Sequence, residues 1–181
     1  YRFLMSEPCS IIATYPWGKY ASQKSQEIEY KRPMTGFEGF EAAVLRVVGY
    51  KLSPKQLDSF AWYARELITW NQSFNLTAIT DLVDIEIKHF LDSLSCLKVD
   101  AFRPPGKVID VGTGAGFPGI PIKLLHHQFD MTLVESVGKK ANFCQHVIDH
   151  LEIEGIRVVH DRAETLGGHP DHREIYDWGL A

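Results

Sequence analysis

The sequence has few cysteines, no long apolar run and no excess of positive charge. Its three cysteines, Cys9, Cys96 and Cys144, lie far apart and form no CxxC pair, so we expect neither a disulfide framework nor a cysteine zinc site. No apolar run approaches the roughly 20 residues that cross a bilayer. The composition therefore predicts a folded protein of the reducing cytoplasm without membrane association.

The charge balance is slightly negative. The 181 residues carry a formal net charge of −4, with 45% hydrophobic and 23% charged residues, which are ordinary proportions for a globular domain. Such a balance excludes a general basic field around the protein, so any contact with nucleic acid would use a local patch. No feature of the sequence requires a stable protein partner, and we predict none.

The distribution of apolar residues divides the chain into three parts. We predict an irregular N-terminal arm over 1–35, a helical cap over 36–105 and a cofactor-binding α/β domain over 106–181. Helical spacing of apolar residues begins at Phe37, and Gly49 offers a C-terminal stop for this first helix.

Two longer helices are predicted within the cap. Ser53 precedes Pro54 and stands three residues before Gln56, which is the pattern of a helix start. This helix should run to about Asn71, and its predicted apolar face consists of Leu57, Phe60, Ala61, Ala64, Leu67 and Ile68. Thr80-Asp81 should cap a further helix, whose predicted buried line is Ile87, Phe90, Leu91, Leu94 and Leu97.

After Gly106 the chain alternates short apolar runs with helical segments. The runs predicted as buried strands are 107–111, 131–134, 156–159 and, more weakly, 175–178. Helices are predicted between them over 119–127 and 139–151. This alternation indicates a doubly wound α/β fold with a parallel sheet.

A glycine-rich loop follows the first predicted strand. Gly112, Gly114 and Gly116 permit a tight turn and a close approach of the backbone to a ligand. Glu135 ends the next strand, where a carboxylate can accept hydrogen bonds from both hydroxyls of a ribose. Asp110 can accept hydrogen bonds within the loop or, through water, from a cofactor's ammonium group. The loop and the acidic residue together predict a cofactor site.

Two cofactor classes compete for this loop. A dinucleotide fingerprint has its third glycine three residues after its second, whereas here the third, Gly116, comes two residues after Gly114. The form D-x-G-x-G-x-G, from Asp110 to Gly116, favours S-adenosyl-L-methionine. A nicotinamide-dependent dehydrogenase that uses the same glycine loop is the alternative.

Three segments form a specific set of motifs: WNQSFNLTAI at 70–79, KHFLDSL at 88–94 and IDVGTGAGFPGIP at 109–121. They closely resemble the family of bacterial 16S ribosomal RNA guanine-N7 methyltransferases, also called glucose-inhibited division protein B, over about Leu52 to the C-terminus. The resemblance implies a Rossmann-like class I S-adenosylmethionine-dependent methyltransferase fold with a helical N-terminal cap. It also implies S-adenosyl-L-methionine as cofactor, 16S rRNA or the small ribosomal subunit as partner, and methyl transfer to N7 of a guanine in the decoding-region loop.

Carried over by position, the resemblance also implies cofactor contacts. Besides Asp110 and Gly114 of the loop, the expected cofactor-binding residues are Gly112, Phe117, Glu135, Ser136, Val137, Ala163 and Glu164. The family's next cofactor contact is an arginine just beyond the fourth strand, and the sequence ends where that arginine would follow. We therefore expect an α/β domain that is incomplete after its fourth strand, and a non-catalytic cofactor-binding remnant is a second alternative.

The implied reaction requires no acid, base or nucleophile from a side chain. Guanine N7 carries a lone pair and no proton, so the reaction needs no general base, and positioning should supply most of the acceleration. We therefore name no catalytic residue. The target base has to be unpaired or extruded, and an aromatic ring such as that of Phe117 could stack on it. Lys139, Lys140 and Arg162 are candidates for contacts with RNA phosphates.

Several histidines have suggestive spacing. His89, Asp92 and Ser93 share one helical face, where they could border the active cleft or form a hydrogen-bonded packing cluster. His146 and His150 have the spacing of a metal pair, but no third ligand accompanies them, so we predict no metal site.

Overall fold

The computed structural model describes residues 38–181. The predicted arm at 1–35 and Phe37 lie outside the described residues. The elements in chain order are α1 (Glu38–Val48), α2 (Pro54–Phe74), α3 (Leu82–Ile85), a π-helix (Glu86–Leu91), α4 (Asp92–Ser95), a 3-10 turn (Cys96–Lys98), β1 (Gly106–Val111), α5 (Gly119–Leu125), β2 (Phe129–Val134), α6 (Gly138–His150), β3 (Ile156–Val159), α7 (Ala163–Gly168), a second 3-10 turn (Pro170–His172) and β4 (Trp178–Leu180).

The first two helices begin and end at local sequence signals. Gly49, with φ +76°, follows the end of α1, as predicted. At the start of α2, the Ser53 hydroxyl accepts a hydrogen bond from the backbone N–H of Gln56, and the Gln56 side chain accepts one from the N–H of Ser53. This confirms the predicted capping box. The helix runs past Asn71 to Phe74, because the left-handed residue that ends it is Asn75.

The buried face of α2 differs in part from the prediction. The structure buries Phe60, Ala64 and Leu67 as predicted and adds Tyr63, which is fully buried. The remaining residues of the predicted face are only half-buried: Leu57, Ala61 and Ile68.

The third helical segment contains a π-helix that the sequence pattern did not predict. The Asp81 carboxylate caps its start by accepting hydrogen bonds from the N–H groups of Val83 and Asp84. The prediction that Ile87 is buried is wrong, because its exposed fraction is 46%. In a π-helix residues five apart are aligned, so Ile85, rather than Ile87, shares the buried side with Phe90.

The strands form a parallel sheet in the order β3-β2-β1-β4, which confirms the predicted doubly wound arrangement. Val111 pairs with Val134, so β1 and β2 end side by side. From β1 the chain proceeds to β2 and β3 on one side and returns to place β4 on the other. The carboxyl end of β1 is therefore the switch point where ligands bind in such sheets.

The fourth strand lies later than predicted. The sequence placed it at 175–178, but the structure has β4 at Trp178–Leu180. Asp177 precedes the strand, its N–H donating to the Lys107 carbonyl and its carboxylate accepting from the Lys107 N–H. Tyr176 is turned toward the preceding 3-10 turn, where its hydroxyl bonds His172 Nδ1. These contacts keep 175–177 outside the strand, although the residues there are partly apolar.

One hydrophobic cluster joins the helical region to the sheet. Phe40, Phe60 and Phe90 contact one another, with ring centroids 5.0–5.9 Å apart. The same cluster includes Val108 of β1 and Phe143 of α6. The two regions thus share a core, and the predicted boundary between 105 and 106 stays a prediction. Among the described residues, no helix is both long and apolar enough to cross a membrane.

Candidate functional site

The glycine loop after β1 turns back onto the end of β2. Gly112, Gly114 and Gly116 all have positive φ, at +74°, +63° and +97°, a region that side chains other than glycine rarely adopt. The N–H groups of Gly112 and Thr113 both donate to the carbonyl of Val134. The loop is therefore fastened across the sheet at the place where β1 and β2 end.

Glu135 joins the loop to the segment that follows β2. Its carboxylate is buried, and one oxygen accepts a 2.8 Å hydrogen bond from the N–H of Gly114 while the other accepts a 2.8 Å bond from the N–H of Val137. An ionised carboxylate has about four acceptor positions, so these two bonds leave acceptor capacity for ribose hydroxyls.

Asp110 lies beneath the loop rather than in an open cleft. It is 1% exposed, and its Oδ2 accepts hydrogen bonds from the Thr113 hydroxyl (2.6 Å) and the N–H of Gly119 (2.9 Å). Burial raises the pKa of Asp110 to about 7, against the opposing effect of these two hydrogen bonds. Its Oδ1 is buried without a hydrogen-bond partner in the described part of the chain. Asp110 thus holds the beginning of the loop to the start of α5.

Tyr63 is a site residue that the sequence analysis missed. Its buried hydroxyl donates to the carbonyl of Ala115. A Cβ added at Gly116 would lie 2.6 Å from the hydroxyl oxygen of Tyr63. From α6, the Cys144 thiol donates to the carbonyl of Gly114 at 3.4 Å, and burial raises the pKa of this thiol. The helical spacing of Tyr63 from Phe60 could have indicated its burial, but only the fold shows what its hydroxyl contacts.

A cleft of about 260 Å³ lies at the carboxyl ends of the strands, lined by Val111, Gly112, Val134, Ser136, Asp161, Arg162, Ala163 and Glu164. It brings together predicted site residues from three separate loops. A Cβ added at Gly112 would meet no atom within 4 Å, so a ligand can approach the backbone at this position. The open backbone at Gly112, the Glu135 carboxylate after β2 and the loop after β3 fit an adenosine-containing cofactor. The other residues predicted to contact the cofactor do not line this cleft: Asp110, Gly114, Phe117, Glu135 and Val137.

Phe117 contacts residues of the helical region at the other end of the glycine loop. Its ring is parallel to the His89 imidazole, at 3° and a centroid distance of 4.4 Å, and it also stacks on Tyr63 at 5.5 Å. The Thr77 hydroxyl and His89 Nε2 lie 2.9 Å apart. Burial lowers the pKa of His89. One residue from each of the three motif segments, Thr77, His89 and Phe117, therefore meets here.

The residues near His89 on its helix have packing contacts. The Ser93 hydroxyl donates to the His89 carbonyl at 2.5 Å. Asp92 Oδ1 is buried with no partner among the residues that the structure describes, and burial raises the pKa of Asp92. None of the three residues lines the cleft, so these contacts favour the packing cluster, and a place at the border of the cleft stays a prediction.

The candidate RNA contacts follow the carboxyl ends of β2 and β3 in the sequence. Lys139 is exposed and Lys140 half-buried in the first turn of α6. Arg162 is exposed and lines the cleft, and its backbone N–H donates to the Asp161 carboxylate. Their role in RNA binding stays a prediction.

The paired histidines of α6 have other partners. His146 Nε2 lies at hydrogen-bond distance, 2.8 Å, from a Glu66 carboxylate oxygen, and His150 stacks on Trp62 at 3.8 Å. Within 38–181, no group of three or more histidine, cysteine, aspartate and glutamate side chains could hold a metal ion.

The parallel sheet, the glycine loop after β1 and the acidic residue after β2 define a Rossmann-like fold of the class I S-adenosylmethionine-dependent methyltransferases. The model of the family described as rRNA small subunit methyltransferase G matches residues 56–180. The chain belongs to this family. The match confirms the resemblance found in the sequence and does not support a nicotinamide-dependent dehydrogenase or a non-catalytic remnant.

Individual relatives agree with the family. The chain is 50% identical over 129 residues to ribosomal RNA small subunit methyltransferase G of Roseiflexus castenholzii, covering 71% of this chain and 55% of that protein. It is 42% identical over 134 residues to the protein of the same name from Alkaliphilus metalliredigens, covering 74% and 56%. The chain thus spans about half the length of the curated relatives it matches.

A crystal structure of MtNAS in complex with MTA and tNA aligns at a TM-score of 0.42 and 19% identity, covering 62% of this chain and 41% of that one.

Proposed function

We propose that this chain takes part in transferring a methyl group from S-adenosyl-L-methionine to N7 of a guanine in 16S rRNA of the small ribosomal subunit. The observation that carries this proposal is the cleft at the ends of β1 and β2, which Gly112 leaves open at the position expected for the cofactor. Membership of a family named for ribosomal RNA methylation supports the acceptor. Action on ribosomal RNA also supports a cytoplasmic location.

Residues that line the cleft, together with the buried Glu135 next to it, would hold different parts of the cofactor. Glu135 and Ser136 would hold the ribose, Ala163 and Glu164 the adenine, and Gly112 would let the backbone approach. When bound, the cofactor supplies an electrophilic methyl group on a sulfonium. Because Asp110 is buried beneath the loop, its part is to hold the loop rather than to contact the cofactor directly.

Besides binding the cofactor, the chain has to position the guanine base. Since guanine N7 has no proton to lose, the side chains have to orient the base and exclude water, and no residue has to act as a general base. Lys139, Lys140 and Arg162 would bind RNA phosphates at the sheet edge that carries the cleft.

Cofactor binding can be tested with a matched pair of glycines. Gly112 and Gly49 have nearly equal φ, +74° and +76°, and a Cβ at either would meet nothing within 4 Å. Only Gly112 lines the cleft. We expect Gly112→Ala to weaken S-adenosyl-L-methionine binding, measured by calorimetry, at least about tenfold, or about 1.4 kcal/mol. Gly49→Ala should lower the thermal unfolding midpoint similarly and leave the affinity unchanged. Equal affinities for the two variants would contradict the assignment of the cleft.

The methyl acceptor can be mapped on small ribosomal subunits. The chain is incubated with subunits that lack the modification and with labelled S-adenosyl-L-methionine, and borohydride and aniline then cleave the RNA at N7-methylated guanine. We expect label and cleavage at one guanine of 16S rRNA. Label that is not accompanied by cleavage would place the methyl group on another atom, and a chain that binds the cofactor without labelling RNA would contradict the proposed acceptor.

A further inference from the structure

His89 lies where the helical region meets the glycine loop, and its own helix is irregular there. The π-helix Glu86–Leu91 turns Ile87 to solvent and places His89 parallel to the Phe117 ring. Single π-helical turns are rare and occur frequently at functional sites. Phe117 ends the loop that begins with Gly112 in the cleft. A base brought to this loop would therefore meet His89 at the end opposite to Gly112.

The tautomer of His89 is coupled to the hydrogen bond with Thr77. The Thr77 hydroxyl accepts a 3.1 Å hydrogen bond from the N–H of Ile79 and lies 2.9 Å from His89 Nε2. Its oxygen has a second acceptor position, so two arrangements fit: the hydroxyl donates to an unprotonated Nε2, or it accepts from Nε2–H. In the first arrangement the proton of the neutral imidazole is on Nδ1.

The Nδ1 atom has no partner in the described part of the chain. It makes no hydrogen bond to any described residue and is not fully buried. The stacking on Phe117 and the bond to Thr77 fix both the plane and the rotation of the ring. When Thr77 donates to Nε2, His89 offers one oriented N–H donor beside the glycine loop.

Guanine presents a matching acceptor. Its O6 is adjacent to N7 on the same edge, whereas adenine has an amino donor at the corresponding place. We propose that His89 adopts the Nδ1–H tautomer and recognises the target guanine by donating a hydrogen bond from Nδ1–H to O6, which leaves N7 free to react. This assignment rests on the proposed function. The transfer makes the base cationic, and because burial lowers the pKa of His89, the imidazole stays neutral and does not oppose that charge.

The first test needs neither cofactor nor RNA. Nitrogen-15 NMR of the imidazole in the resting chain distinguishes the two neutral tautomers. We expect the Nδ1–H form at His89, and we expect Thr77→Val, which removes the hydroxyl donor, to shift the population toward Nε2–H. A wild-type chain with Nε2–H at His89 would overturn the proposal, whatever its activity.

The second test asks whether His89 and O6 act together. Subunits are reconstituted with guanine or with 2-aminopurine, which lacks O6, at the position mapped by aniline cleavage. The wild-type chain should methylate the 2-aminopurine subunits about tenfold more slowly, as expected for one lost hydrogen bond. His89→Phe keeps a ring on Phe117 and should be about tenfold slower on guanine, with no further loss on 2-aminopurine. His89→Gln, which retains an N–H donor, should recover part of the discrimination.

A matched control separates recognition from packing. His146→Phe also replaces a hydrogen-bonded helical histidine that contacts an aromatic ring, and it should leave the preference for guanine unchanged. For His89→Phe we expect the affinity for S-adenosyl-L-methionine to stay within about twofold of the wild type. A His89→Phe chain that still prefers guanine as strongly as the wild type would overturn this assignment alone. A wild-type chain that methylates no guanine would overturn the proposed function and the assignment with it.

Discussion

Asp110 connects the two ends of the glycine loop, and its environment favours the protonated acid. The carboxyl group is 1% exposed, and one of its oxygens has no partner within the described structure. Burial disfavours the charged form, while the bonds from Thr113 and Gly119 favour it. The net effect is a pKa of about 7, which is unusually high for an aspartate. The loop therefore depends on a group that titrates near neutral pH.

This shift predicts how stability depends on pH. The folded chain binds the Asp110 proton more tightly than the unfolded chain, whose aspartate has a pKa of 3.8. The contribution is thus fully present below pH 3.8 and is lost as the pH rises through about 7. We expect the free energy of unfolding of Asp110→Asn to increase relative to that of the wild type from pH 4 to pH 7, by up to about 1.4 kcal/mol per pH unit, because the wild type loses stability over this range.

Urea unfolding of the two proteins at several pH values would measure this difference. Because both carry the same other titrating groups, their shared pH dependence cancels. A difference that stays flat between pH 4 and pH 7 would show that Asp110 is ionised throughout in the folded chain.

At the scale of elements, the π-helix decides which side of the third helical segment faces the core. A regular helical period correctly predicted Phe90, Leu91, Leu94 and Leu97 as buried. It failed one turn earlier, at Ile87, because a π-helix shifts the side-chain phase by one residue. The sequence pattern around Ile85 and Ile87 is compatible with either phase. Packing of Ile85 against the shared core selects the observed one.

A pair of isoleucines tests this element. Ile85 is fully buried, whereas Ile87 is 46% exposed. Ile85→Ala should lower the free energy of unfolding by about 2–5 kcal/mol, as is usual for a buried isoleucine. Ile87→Ala should change it by less than about 1 kcal/mol. Chemical denaturation of both variants gives the comparison, and a larger loss at Ile87 than at Ile85 would indicate a regular α-helix instead.

At the scale of the whole molecule, the site is assembled from segments far apart in the chain. The cleft combines the ends of β1 and β2 with the loop after β3. The glycine loop is held from α2 by Tyr63 and from α6 by Cys144. The helical region thus packs on the sheet and also contacts the backbone of the cofactor loop directly. Cofactor binding and the stability of the helical region should therefore be coupled.

Features that depend on near neighbours in the chain were predictable from the sequence. The capping box at Ser53, the glycine turns from Gly112 to Gly116 and the strand-helix alternation follow from backbone preferences over a few residues. The family motifs were equally visible, since they are short and contiguous. Helical spacing likewise predicted three of the buried residues of α2, which are Phe60, Ala64 and Leu67.

Contacts between groups far apart in the sequence became visible with the fold. The bond from Tyr63 to the Ala115 carbonyl, the stacking of His89 on Phe117, the exposure of Ile87 and the late start of β4 all depend on packing between segments. A local period carries no information on such contacts, because their energies come from the shared core and from hydrogen bonds across the fold.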